Sequence, residues 1–132
     1  MKHRQSIKII SSVIILTAII IGMSIYTQWL LNRDALKLEQ TIDKIETNAK
    51  MEDWVQAEIN VEKVNDLWTE VKKTWSALID HQEIDNIDVT LSRLQMLVQA
   101  KEVPLSLSEA AALSKYIGHI PDKERLSFEN LF

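Results

Sequence analysis

Cysteine is absent from this chain, and its 132 residues include only two glycines and two prolines. Without a thiol, no disulfide can form and no lipid can be attached through sulfur. Strong breakers of regular structure are also scarce, in a sequence that is rich in Ala, Leu, Glu and Lys. The composition therefore predicts an all-α protein.

Charge is missing from one long stretch, because no acidic or basic side chain occurs between Ile9 and Leu31. At about 1.5 Å of rise per residue, this run forms a helix of roughly 34 Å, which crosses a hydrocarbon layer of about 30 Å with modest tilt. We therefore expect a basic N-terminal segment at residues 1–8, a transmembrane helix at 9–31 and one helical domain at 32–132. Aromatic rings lie near the end of the run, at Tyr26 and Trp29. Such rings are typical of the interface between headgroups and hydrocarbon, here at the outer boundary of the span.

The flank before the apolar run carries Lys2, Arg4 and Lys8 and no acid. The positive-inside rule places this N-terminus in the cytoplasm and the rest of the chain on the extracytoplasmic side of the cell membrane. Gly22 and Ser24 offer small residues for a signal peptidase, so cleavage is the alternative. The apolar run is longer than the roughly 7 to 15 residues of a signal peptide, which favours an uncleaved signal anchor.

Net charge separates the two ends of the chain. All nineteen acids and twelve of the fifteen bases follow the apolar run, which gives that part a formal charge of −7. Phosphate backbones repel such a surface, so no nucleic-acid partner is expected.

Apolar residues continue beyond the predicted span at steps of three and four, the period of a helix face. The first series is Leu31, Ala35, Leu38, Ile42, Ile45 and Ala49. It predicts that the membrane helix continues outward as a stalk, and we call this series of residues the stalk seam. The second series is Trp54, Ala57, Val61, Val64, Trp68, Val71, Trp75 and Leu78. Its tryptophans are expected to form the spine of a core, with ligand stacking on the rings as the alternative.

The pattern breaks after Leu78 and resumes from Ile84, which predicts a turn followed by a third helix. Asp85 is suited to cap that helix, and Ile84 to pack against Val89 as a hydrophobic staple. The third helix should end before Pro104. Ser106 and Glu109 have the spacing of a capping box, which predicts a short fourth helix that stops around Gly118.

Short connections between these helices make successive helices antiparallel neighbours. The predicted architecture is an N-terminal transmembrane helix that extends into a small antiparallel helical bundle. The expected structural core comprises Trp54, Trp68, Trp75, Leu78, Ile87, Leu91 and Leu94.

One short segment concentrates an imidazole and four carboxylates: Asp80, His81, Glu83, Asp85 and Asp88. Acids are common at the start of a helix, where they stabilise its first turn, so a solvated helix start explains the cluster. A divalent ion is the alternative, with His81, Glu83, Asp85 and His119 as candidate ligands. The glycine and the terminal glutamate of an EF-hand loop are missing, and we expect neither a metal nor a cofactor.

Signatures of catalysis are also missing. Ser76, Ser92 and Ser114 lie within helical patterns, and the chain contains neither a G-x-S-x-G elbow nor a glycine-rich phosphate loop. No catalytic residue is therefore expected, and the protein is predicted not to be an enzyme. Apolar residues in the tail either close the bundle or offer an anchor to a partner: Leu126, Phe128, Leu131 and Phe132.

Several of these residues occur together in a known family, and the likeness extends over nearly the whole chain. The matching residues are Asp53, Trp54, Ala57, Trp68, Trp75, Asp80, His81, Glu83, Ile84, Asp85, His119, Ile120, Pro121 and Glu124. In them the chain resembles the uncharacterised single-span membrane proteins of spore-forming Gram-positive bacteria that carry domain of unknown function 4363. The resemblance implies an N-terminal anchor and a helical outer domain, without an established activity.

Two functions from different classes follow from these expectations. The first is a non-enzymatic accessory protein, held in the lipid bilayer, that contacts another membrane protein through the stalk seam, the outer bundle surface or the tail. A homo-oligomer formed through the same seam is a close variant. The alternative is an extracytoplasmic sensor or binding module for a metal or ligand, built on the corner of His81, Glu83 and Asp85.

Overall fold

The structure is a computed structural model that describes residues 2–130 of the chain. This part of the chain consists of four helices. They are α1 (Lys2–Lys50), α2 (Trp54–Leu78), α3 (His81–Gln99) and α4 (Val103–Glu129). No strand occurs among these residues, so the prediction of an all-α fold is confirmed. Helix α1 is long and apolar enough to cross a membrane, and none of the residues in its apolar window is buried by the rest of the chain.

The helices pack in a ring in which α1 contacts α2 and α4, and α3 contacts the same two helices. Side-chain bonds join each helix to its two neighbours, and successive helices run antiparallel. The pairs are Asn48 with Asn60, Trp68 with Asp88, Arg93 with Glu109, Glu83 with Lys123, and Gln28 with Pro121. Three connections of two or three residues produce this up-down arrangement.

Helix α1 continues without a break from the apolar run into the bundle, as the seam after Leu31 predicts. The seam residues are buried against the other helices, and Leu38 is completely inaccessible. The interpretation of this seam as a free surface for a partner or a second copy is therefore wrong. A regular apolar stripe needs a cover, and here α2 and α4 supply it.

Helix α2 supplies the aromatic part of the core. Trp68 and Trp75 are buried, and their rings meet edge to face with centroids 5.8 Å apart. Trp54, in the first turn, is only partly buried against the core. Leu78 is 36 % exposed and is not a core residue, because it is the last residue of α2 and the next residue, Ile79, takes the buried position.

Helix α3 begins five residues earlier than the sequence predicts. Asp80, and not Asp85, is its N-cap, since the Asp80 carboxylate accepts from the backbone N–H of Gln82 at 2.9 Å. The predicted staple is also wrong, because Ile84 is buried whereas Val89 is exposed. The earlier start places Ile84 on the core face of α3 together with Ile87, Leu91 and Leu94, which are all buried.

Helix α4 departs from prediction at both ends. Its N-cap is Glu102, and Ser106 lies inside the helix as a buried residue, so the capping box is wrong. The helix also runs through Gly118 and Pro121 to Glu129. An internal proline removes one helical hydrogen bond. Burial of Pro121 and a hydrogen bond from Gln28 Nε2 to the Pro121 carbonyl (2.8 Å) hold this part of α4 against α1.

Candidate functional site

The acidic corner predicted from the sequence lies at the start of α3, close to the end of α4. His81 and Asp85 are exposed, and so is His119 on α4. Glu83 is paired with Lys123, whose Nζ lies 2.9 Å from Glu83 Oε1. The hydrogen bond to Glu83 raises the pKa of Lys123. Between residues 2 and 130, no three His, Asp or Glu side chains converge into a group that could hold a metal ion.

Asp88, the last carboxylate of the acidic segment, joins α3 to α2. Its Oδ1 accepts from Trp68 Nε1 at 2.7 Å, and its Oδ2 pairs with Lys72 Nζ at 2.5 Å. The carboxylate thus satisfies an indole N–H at the edge of the core and neutralises a lysine. A groove of about 540 Å³ opens beside this pair. Asp88 therefore connects two helices.

A second groove, of about 570 Å³, runs between α1 and α4. In it the carboxylate of Glu39 lies over Gly118, and a Cβ at that position would overlap the carboxylate unless the Glu39 side chain moved. Burial raises the pKa of Glu39, and the carboxylates of Asp43 and Asp122 raise it further. His119 lines the same groove, so it faces α1 as well as solvent. The glycine permits the close approach of this carboxylate to α4.

Glu39→Gln is expected to raise the midpoint of thermal unfolding at pH 7 by about 1–3 °C, the scale of a partly exposed charge interaction. A carboxyl with a raised folded pKa contributes stability below its unfolded pKa, and that contribution is lost as the pH rises through the folded value. The pH range in which the Glu39 charge destabilises the fold therefore begins at about 4.5, the ordinary pKa of Glu39, and extends to higher pH. Thermal unfolding followed by circular dichroism at pH 4 and pH 7 measures the difference.

The gain should vanish at pH 4, where the Glu39 carboxyl is also neutral. Glu62→Gln, at an exposed position of α2, is the matched control and should change the midpoint little at either pH. A lower midpoint for Glu39→Gln at pH 7 would show that the Glu39 charge stabilises the fold, contrary to this account.

Several side-chain interactions within α1 lie at the junction between the apolar run and the bundle. On the outward face of α1, the rings of Tyr26 and Trp29 stack at 6.0 Å, and the Arg33 guanidinium lies 5.0 Å from the Trp29 ring. On the inward side, the buried carboxylate of Asp34 accepts from Arg33 Nη2 at 2.8 Å. Sequence reasoning missed Asp34, although its spacing from Leu31 and Leu38 puts it on the seam.

The tail of the chain lies beside this junction. Phe128 is partly buried and lines a groove of about 550 Å³ between α1 and α4, whereas Leu126 is exposed. Leu131 and Phe132, the other two apolar residues predicted to act here, lie outside the described residues. The tail thus continues α4 along α1 instead of folding back over the bundle.

Comparison with known proteins identifies a family. Residues 25–131 match the family model described as domain of unknown function (DUF4363), so the chain belongs to that family. Searches of curated proteins and of solved structures gave no match. The matched region covers the bundle, the C-terminal end of the apolar run and the α4 tail that packs beside it.

Proposed function

We propose that this member of the DUF4363 family is a membrane-anchored, non-enzymatic accessory protein that works beside another membrane protein. The apolar run of α1 is the anchor, and the bundle lies on the extracytoplasmic side, as the basic flank of Lys2, Arg4 and Lys8 favours. The observation that carries the proposal is the continuity of α1, which is both the apolar segment and one wall of the bundle core. A bundle on such a helix is held close to the bilayer.

The outward face of α1 is the surface best suited to contact a neighbouring membrane protein. Tyr26, Trp29, Arg33 and Leu36 recur along it and are exposed. Trp, Tyr and Arg are the residue types that contribute most to protein interfaces. We therefore propose this face as the contact surface in place of the inward seam, whose residues are covered by α2 and α4.

A cysteine crosslink tests this proposal, because the chain has no cysteine of its own. Leu36→Cys places a thiol on the outward face, and Leu38→Cys places one in the buried seam two residues away. Tagged variants at native expression levels would be crosslinked in native membranes and purified in mild detergent. We expect one membrane protein, identified by mass spectrometry, to be crosslinked through Leu36→Cys several-fold more than through Leu38→Cys.

Two results would count against the accessory role. One is a chain that remains an uncrosslinked monomer from both positions and purifies without another membrane protein. The other is a crosslink to a second copy of the chain from Leu36→Cys, which would indicate a homo-oligomer. Recovery of the intact chain in the soluble fraction after a salt wash would contradict the anchor itself.

A further inference from the structure

The last part of α4, residues 122–129, is placed where the apolar run of α1 leaves the bundle. The hydrogen bond from Gln28 to Pro121 fixes the start of this segment on α1. Lys123 ties it to Glu83 at the start of α3. Beyond these bonds the segment runs beside residues 24–32 of α1, and the two helices line one groove of about 550 Å³. The α4 tail therefore accompanies α1 toward the bilayer.

The charges of this tail fix how deep α1 can lie. Glu124, Arg125 and Glu129 line the same groove as Ser24 and Ile25. A charged side chain is costly at the centre of a bilayer, and this cost falls toward the headgroups. Three charges beside residues 24–32 are therefore incompatible with a hydrocarbon layer that extends to Leu31.

The length of α1 is compatible with this boundary. From Lys8 to Ser24 the helix rises about 24 Å, against a hydrocarbon thickness of about 30 Å. The shortfall of about 6 Å is within the reach of Lys8 and Arg4, whose long side chains extend to the opposite surface, together with slight thinning of the bilayer. With this boundary Tyr26 and Trp29 lie in the headgroup layer, where such rings are enriched.

The tail also has the mixed character that the headgroup layer requires. Leu126 is 55 % exposed and lies between the charged residues Arg125 and Glu129, while Phe128 faces the groove. The charged side chains need a polar environment, whereas the leucine tolerates an apolar one. Phospholipid headgroups and the first methylenes below them accommodate both.

We infer that residues 122–129 of α4 form a membrane-contacting element that lies among the phospholipid headgroups, so that the hydrocarbon layer ends near Ser24 and not at Leu31. The inference rests on the proposed anchoring of α1. It assigns the α4 tail a lipid partner. Two helices, α1 and α4, then set the position of the bundle above the bilayer.

Depth-dependent quenching tests this inference on the full chain in phosphatidylcholine vesicles. A single cysteine labelled with the fluorophore NBD is introduced at Leu126, at Leu105 or at Ile14. Leu105 is a matched control, because it lies on the same helix at the opposite end and is 54 % exposed. Ile14, in the middle of the apolar run, reports on the anchor. The quenchers are lipids with a nitroxide at the headgroup or at carbon 12 of the acyl chain.

The inference predicts that headgroup nitroxide quenches the Leu126 probe at least twofold more than acyl nitroxide does, and that neither quenches the Leu105 probe. The Ile14 probe should show the opposite preference.

A Leu126 probe as unquenched as the Leu105 probe, with Ile14 still quenched, would overturn the inference and leave the anchor intact. Quenching of Leu126 mainly by acyl nitroxide would also overturn it. Lack of quenching at all three positions would overturn the anchor as well. Ser127→Cys, also exposed, serves if Leu126→Cys misfolds.

Discussion

Trp75→Ala is expected to lower the free energy of unfolding of the bundle by about 3–5 kcal/mol, the range for removal of a fully buried large side chain. Trp75 is completely inaccessible and packs edge to face on Trp68. Because whole domains are stable by only about 5–15 kcal/mol, this one substitution should bring the bundle close to unfolding. Urea unfolding in detergent, followed by far-ultraviolet circular dichroism, measures the loss without relying on tryptophan fluorescence.

Two matched variants separate the core role of Trp75 from a general effect of losing an indole. Trp54→Ala, on the same helix but only partly buried, should destabilise by less than half as much. Trp75→Phe keeps an aromatic ring and removes a buried indole N–H that has no hydrogen-bond partner among the described residues, so its loss should also be smaller. If Trp75→Ala and Trp54→Ala proved equally mild, the tryptophans would not be the spine of the core.

Arginine at both Ile15 and Ile19 is expected to release the chain from membranes. Each arginine near the middle of a span adds about 2.5–3.5 kcal/mol to insertion, so the pair disfavours it by more than a thousandfold. The thermal unfolding of the bundle should change little, since the apolar window has no buried residue. Extraction of membranes with alkaline carbonate, followed by immunodetection of the pellet and the supernatant, checks the release.

Arginine at Val55 and Ile59 is the control for this pair, because both residues are exposed, apolar and four residues apart on α2. The control chain should stay in the carbonate-resistant pellet. Retention of the variant with arginines at Ile15 and Ile19 would mean that a surface other than the apolar run attaches the chain to membranes.

Apolar spacing was enough to predict helix content, the continuity of α1 and the burial of Trp68 and Trp75, because a period of 3.6 residues is a property of the local sequence. Apolar spacing could not predict which helix or protein packs against an apolar helix face. The seam around Leu38 looks the same whether its cover is α2 and α4 or another protein. Helix ends were the other weakness, since Asp80 and Asp85 are both good caps and only the packing of Ile84 and Ile87 selects the first.

Contacts between distant parts of the chain were beyond the reach of sequence reasoning. Glu83 and Lys123 are forty residues apart, and their pairing depends on the antiparallel packing of α3 and α4. The approach of Glu39 to Gly118 likewise depends on the register between α1 and α4. A proline usually marks a helix end, but packing of Pro121 against α1 carries α4 past it.

In the proposed arrangement one unbroken helix passes from the bilayer into the core of the bundle, and the distance between two spin labels measures this continuity. Nitroxide labels at Ile14→Cys and Lys44→Cys, both exposed positions on α1, would be measured by double electron–electron resonance in lipid nanodiscs. Thirty residues of continuous helix separate the labels by about 45 Å, so a single narrow distribution near that distance is predicted. A broad distribution, or one centred well below 45 Å, would mean that α1 bends or breaks at the membrane surface and would contradict the account.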